Sequence, residues 1–289
     1  MLIKTNSLTP NILQVIRDKG TETPFSCAFA SGFKDGTYLC RQCGLALFRG
    51  QDQFDAGCGW PSFDAGLPAA LISELDADGM RTEILCARCA AHLGHVFEYE
   101  GFTQKNIRHC VNGLSLDFVE DKEVLDTEEA IFAGGCFWGI EYYFQQLPGV
   151  VKTEVGYSGG HKINPNYQSV CNHQTGHYEA VRVVFDISKI TYEKITQYFF
   201  EIHDPTQADG QGPDVGPQYK SAIFYFNEIQ KSIAEHLIKE LVKLNYQVVT
   251  QLIPVGIFWP AEIDHQKFYD RNGHLPYCHI YQPRFRKSK

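Results

Sequence analysis

Ten cysteines are the residues of this 289-residue chain whose type and spacing invite chemistry. Cys40-Arg-Gln-Cys43-Gly44 and Cys86-Ala-Arg-Cys89 are two Cys-x-x-Cys pairs. Two thiolates at that spacing can face one ion, and two such pairs complete a tetrahedral four-cysteine site for structural zinc. Redox-active disulfides and unrelated buried thiols are the alternatives. Gly44 suits a knuckle turn that needs positive φ. Cys136 ends Ala133-Gly-Gly-Cys. There a buried strand stops, two glycines turn, and the thiol lands at the first turn of a helix. Helix N-terminal amides favour a thiolate, so Cys136 is either an activated nucleophile or a core thiol. Phe137 and Trp138 are helix core or the walls of an apolar pocket. Cys110 opens a strand-like run after Arg108 and His109, whose charges can lower a thiol pKa; a buried strand cysteine is the other reading.

The elements that must position these thiols differ between the halves. Residues 38–40, 84–86, 95–99 and 115–119 read as short strands between turn signals, with one helix over 11–19. After the acidic run 120–129, strands are expected at 130–133, 150–157, 178–185, 221–226 and 247–255. They alternate with helices at 137–146, 192–202 and 227–244. The last helix places Ile229, Ile233, Leu237, Leu241 and Leu244 on one side. The expected architecture is two domains, 1–122 and 123–289. The first is mainly antiparallel β with the four-cysteine zinc site. The second is α+β, with a mixed sheet and flanking helices.

The second half closely resembles the peptide methionine sulfoxide reductase A family over about residues 128–280. The resemblance rests on Gly135-Cys-Phe-Trp-Gly139, Gly156-Tyr-Ser-Gly-Gly, Pro165-Asn-Tyr167-Gln-Ser-Val-Cys171, Gly176-His-Tyr-Glu179, His203-Asp-Pro-Thr-Gln and Asp214-Val-Gly-Pro-Gln-Tyr219. It implies that Cys136 attacks the sulfoxide sulfur. Glu179 is then the acid, Tyr167 and Tyr219 are hydroxyl partners of the oxygen, and Asp214 organises the site. Phe137 and Trp138 hold the methyl group. The product is a Cys136 sulfenic acid, resolved by Cys278, whose place near a flexible C-terminus suits a thiol that must move.

The first half is similar to methionine sulfoxide reductase B over about residues 8–120. The motifs are Gly57-Cys58-Gly-Trp60-Pro-Ser-Phe, Arg81-Thr-Glu83, His92-Leu-Gly-His95 and Arg108-His-Cys110-Val-Asn112. The paired Cys-x-x-Cys belongs to that family's zinc-containing form. The resemblance implies Cys110 as nucleophile, Cys58 as resolving thiol, Arg108 supporting the thiolate and Trp60 walling the methyl pocket. His92, His95 and Asn112 bind or protonate the oxygen. His109 and Ala90 depart from the family's usual aromatic and acidic residues. Cys27 and Cys171 receive no task.

The two resemblances together imply a B–A fusion that reduces both sulfoxide epimers, R in the first half and S in the second. It would need no organic cofactor, act on oxidised proteins or peptides, and be recycled by thioredoxin. A zinc-dependent redox sensor and a cysteine hydrolase built on Cys136 are the competing classes. Net charge is −8. Residues 1–123 carry 16 acids and 11 bases, the remainder 18 and 15. Neither half is basic, which excludes nucleic acid as the expected partner. No apolar run approaches the ~20 residues that span a bilayer, and the N-terminus lacks a signal-peptide pattern. A cytoplasmic monomer is expected.

Overall fold

A computed structural model describes residues 7–30 and 33–285. The chain forms two compact units, Met1–Thr127 and Glu128–Lys289. The first is mostly antiparallel β. Its strands are β1 (Thr37–Cys40), β2 (Ala46–Arg49), β3 (Gln53–Phe54), β4 (Ser62–Phe63), β5 (Leu71–Leu75), β6 (Thr82–Cys86), β7 (His92–Glu98), β8 (Ile107–Val111) and β9 (Leu116–Val119). They build a sheet of order β3-β4-β8-β7-β6-β5 and another of order β2-β1-β9. Phe48 of β2 stacks on Phe63 of β4 at 4.3 Å, joining the two sheets in a fully buried core. Truncating either ring would cost about 3–5 kcal/mol. Helix α1 (Pro10–Ile16) starts on a proline and buries Ile12, Val15 and Ile16. It is shorter than the sequence suggests, because Lys19 adopts φ +55° and the Gly20 amide turns back to the Gln14 carbonyl.

The acidic run 120–129 is partly fastened rather than free. Arg49 Nη1 donates to the Val124 carbonyl at 3.0 Å, and the Ala46 amide to the Leu125 carbonyl at 3.2 Å. Arg88 forks onto Asp126 at 2.6 and 2.5 Å. Thr127 donates through its hydroxyl to the Gly44 carbonyl at 2.9 Å.

The second unit has a mixed sheet. Its strands are β10 (Thr127–Gly134), β11 (Val150–Ser158), β12 (Tyr178–Asp186), a hairpin of β13 (Gly210–Gln211) and β14 (Asp214–Val215), β15 (Ser221–Tyr225), β16 (Gln251–Pro254) and β17 (Trp259–Pro260). The main order is β16-β15-β10-β12-β11-β17, with β15 and β16 parallel. Helices α2 (Phe137–Gln145), α3 (Tyr167–Cys171), α4 (Tyr192–Ile202), α5 (Glu228–Lys243) and α6 (Phe268–Asn272) follow the same chain. Phe132 of β10 stacks on Phe144 of α2 at 5.3 Å and on Phe199 of α4 at 4.7 Å.

Two sequence expectations are corrected here. The buried face of α5 is Gln230, Ala234, Leu237 and Leu241, while Ile229 is exposed. Gln230 is tolerated inside because its amide donates to the Glu129 carbonyl and accepts from the Phe226 amide. The C-terminal segment is not a loose tail at Cys278. The Gln282 amide donates to the Glu201 carbonyl at 2.6 Å, and buried Arg284 donates to the carbonyls of Phe200 and His203. Those bonds hold Cys278 and His279 in the interior.

Candidate active sites and a four-cysteine cluster

In the first unit, Cys110 lies on β8 between two strands. It stands opposite Ser62 of β4 and His95 of β7. Its sulfur is 4.0 Å from Cys58 Sγ. Arg108 aims Nη1 at Cys58 Sγ from 3.8 Å, is gripped by Glu100 through two bonds, and lies over the rings of Phe97 and Phe102. Burial pushes the Cys110 thiol up to about 12, with the neighbouring Cys58 adding and Arg108 opposing. A cavity of about 120 Å³ opens over this thiol, lined by Trp60, His95, Phe97, Asn112, Arg81 and others.

Both histidines of the His-x-x-His segment are held by carboxylates. Glu83 meets His92 Nδ1 at 2.6 Å, and Asp76 meets His95 Nε2. Burial keeps His92 below the usual imidazole range, so it is neutral. Asn112 has both amide atoms engaged, accepting from the Glu22 amide and donating to the Leu93 carbonyl. Trp60 donates Nε1 to the Glu22 carbonyl at 3.1 Å. Of the residues named from the sequence, Trp60, His95, Cys110 and Asn112 line this cavity, while Cys58, Arg108 and His92 stand behind it. Asp76 and Glu100, which orient them, were not singled out, and Glu83 was quoted only within the Arg81-Thr-Glu83 motif with no role, because these carboxylates act across strands.

The two Cys-x-x-Cys pairs meet. Cys40 Sγ lies 3.6 Å from Cys89 Sγ, and Cys43 Sγ 3.6 Å from Cys86 Sγ. All four sulfurs lie within 4.8 Å of one another. Zn–S bonds of ~2.3 Å in a tetrahedron put sulfurs ~3.8 Å apart, so the donor set fits such an ion. The short contacts run across the pairs, as a four-centre cluster requires. Gly44 sits at φ +78° against Thr127, closing the first knuckle. Hydrogen bonding among neighbouring thiols, Cys43 foremost, drives Cys40 well above the usual thiol range. A bound cation removes that conflict by keeping every sulfur as thiolate.

In the second unit, Cys136 is the N-cap of α2, and Gly135 takes φ +102° to turn off β10. Glu179, opposite Tyr157 on β12, accepts from the Phe137 amide at 3.1 Å. Nucleophile and carboxyl thus share one helix N-terminus. Glu179 is buried, and desolvation raises its pKa well above the carboxylate range, with Cys136 adding. Burial therefore favours its protonated form. Cys136, Cys278 and Asp214 bring their sulfurs and a carboxylate oxygen within 4.8 Å of one another. Hydrogen bonding to Cys278 and burial raise the Cys136 thiol.

Aromatic walls surround this centre. Trp138 stacks on Phe268 at 3.8 Å; Phe137 faces Tyr157 and Tyr167 at 5.9 and 6.4 Å. Tyr167 packs on His265 at 4.3 Å. The phenols of Tyr167 and Tyr219 are raised by burial and then by Glu179, so both remain donors. Glu179 Oε1, Asp214 Oδ2, Trp138 Nε1 and His265 Nδ1 are buried with no hydrogen-bond partner among the described residues. Buried polar atoms seldom stay unpaired, so these four are open to a polar guest. Sequence reasoning missed His265, Phe268, His279 and Tyr277, whose hydroxyl donates to Asp214 at 3.3 Å. The Trp259-Pro-Ala-Glu-Ile-Asp-His265-Gln run was the available signal.

The family model for peptide methionine sulfoxide reductase matches residues 128–289, and that for the SelR domain matches 8–120. The chain is 48% identical over 154 residues to peptide methionine sulfoxide reductase MsrA of Saccharolobus solfataricus, covering 53% of this chain and 87% of that protein. It is 50% identical over 151 residues to the Methanosarcina acetivorans protein of the same name, covering 51% and 80%. The solved structure of Mxr1 from Saccharomyces cerevisiae in reduced form superimposes with a TM-score of 0.51 at 30% identity, covering 54% of this chain and 92% of that one. The chain belongs to the peptide methionine sulfoxide reductase family, with a SelR domain fused ahead of the reductase domain.

Proposed function

We propose that the two units reduce opposite epimers of methionine sulfoxide, R at Cys110 and S at Cys136. One enzyme per epimer is a stereochemical necessity, because sulfoxide sulfur is chiral. The observation that carries the second site is the shared helix terminus. There Cys136 sits beside Glu179, whose protonated form burial favours. Attack of Cys136 sulfur on the sulfoxide sulfur needs a proton on the departing oxygen. Glu179 supplies it, with Tyr167 and Tyr219 donating to the same oxygen. Phe137 and Trp138 enclose the methyl group. The oxygen passes as hydroxide from the methionine sulfur to Cys136 as the bond between the two sulfurs breaks, so methionine leaves and Cys136 becomes the sulfenic acid. Cys278 then forms the S–S bond with loss of water, and thioredoxin returns both thiols. In the first unit Cys110 and Cys58 repeat the sequence, with His95 and Trp60 at the cavity.

Release of methionine from isolated S-sulfoxide tests the acid. Glu179→Ala should lower it by about 10²–10⁴-fold. An unchanged rate would remove Glu179 from the mechanism.

Zinc is the ion we propose for Cys40, Cys43, Cys86 and Cys89, with a structural role. Four sulfur donors leave no open position, so no step of the reaction passes through it. The natural substrates in this reading are oxidised proteins or peptides, and the site of action is the cytoplasm.

A further inference from the structure

The strongest unassigned group in the molecule is His279, a fully buried imidazole with both nitrogens committed. Nε2 lies 2.8 Å from the Gly134 carbonyl. A carbonyl only accepts, so Nε2 carries the hydrogen. Burial lowers this histidine to about 4, and it is neutral at rest. Nδ1 therefore presents a lone pair, and Cys278 Sγ sits 3.1 Å from it. The Cys278 thiol donates to His279.

The fold goes to some length to seat this ring. Gly139 lies one turn along α2, and a Cβ there would overlap His279 Nδ1. Tyr143 of the same helix donates its hydroxyl to the His279 carbonyl at 3.2 Å. The helix that presents Cys136 thus also fixes the base beside Cys278.

We propose that His279 is the general base of the resolving step. This rests on the reading that Cys136 attacks and Cys278 resolves. The Cys278 proton passes to His279 Nδ1, and the resulting thiolate attacks Cys136 sulfur. The S–S bond forms as the S–O bond of the sulfenic acid breaks. The departing hydroxide takes the proton from the imidazolium and leaves as water. Two thiol-level electrons of Cys278 reduce the sulfenic sulfur, so no external oxidant or reductant enters. A thiolate is the attacking species in such exchanges. Here it would form beside the Asp214 carboxylate, so a cation created at the same moment offsets the repulsion.

Asparagine at position 279 can place an acceptor near Nδ1 but cannot take a proton. The test is a single turnover of the full chain on isolated S-sulfoxide without reductant. It follows the methionine burst, disulfide formation, and trapping of sulfenic acid by dimedone. In His279→Asn the ratio of the disulfide rate to the burst rate should fall at least about tenfold, with trapped sulfenic acid accumulating. Should that variant not fold, Gly139→Ala, which crowds the ring, is expected to lower the same ratio. An unchanged ratio in the folded variant overturns the proposal, because packing alone would slow both steps together. Cys278→Ser checks the underlying reading separately. If it traps no sulfenic acid after its burst, the attack-and-resolve scheme fails, whatever His279 does.

Discussion

Cys136→Ser is expected to lower turnover of the S-sulfoxide by at least about 10⁴-fold. Serine keeps the shape, and its hydroxyl is a far weaker nucleophile toward sulfur than a thiol. Turnover of the R-sulfoxide should be unchanged, because Cys110 stands in a different unit with its own resolving thiol. Cys110→Ser should give the mirror result. The measurement is epimer-resolved: methionine formed from each purified sulfoxide with dithiothreitol as reductant. Loss of both activities in either variant would sink the assignment of one epimer per unit. Ester turnover that survives Cys278→Ser would favour a hydrolase instead.

Cys40→Ser should remove the bound ion and unfold the first unit selectively. Structural zinc in small domains contributes about 10–16 kcal/mol of apparent binding energy, most of it coupled to folding. Cys40 is fully buried, and its loss leaves three thiols crowded without a complete shell. A domain of this size loses about 4 °C of Tm for each kcal/mol. The thermal transition of the first unit should therefore drop by at least about 10 °C, with that of the second unit held. Zinc analysis of the untreated chain should return about one ion. Absence of zinc with all four thiols free would overturn the assignment, and so would a variant with unchanged melting.

Local signals carried the nucleophiles. A buried strand, paired glycines and a helix start are encoded within ten residues, so Cys136 could be placed at the start of α2 from the sequence alone. The Cys-x-x-Cys pairs were legible for the same reason, since each knuckle is a short turn. What was not legible arises from contacts between distant segments. His265 and Phe268 reach Trp138 from beyond residue 260. Glu100 finds Arg108 across a hairpin. The 278–284 segment reads as a flexible C-terminus, yet the C-terminal end of α4 holds it through Arg284. Gln230 shows the limit of periodicity. A hydrophobic stripe marks Ile229 as core, but a polar residue with two backbone partners took the inward position.

The fastening of residues 124–127 has a practical consequence for dissecting the protein. The SelR match ends at residue 120. A cut there would strip Arg88 of Asp126, and Arg88 lies between the third and fourth cysteines of the cluster. It would also take Thr127 away from Gly44, the glycine that closes the first knuckle. The two Cys-x-x-Cys turns would then each lose a side-chain contact that braces them. The compact first unit runs to Thr127, seven residues beyond the end of the family match, so the cut belongs there.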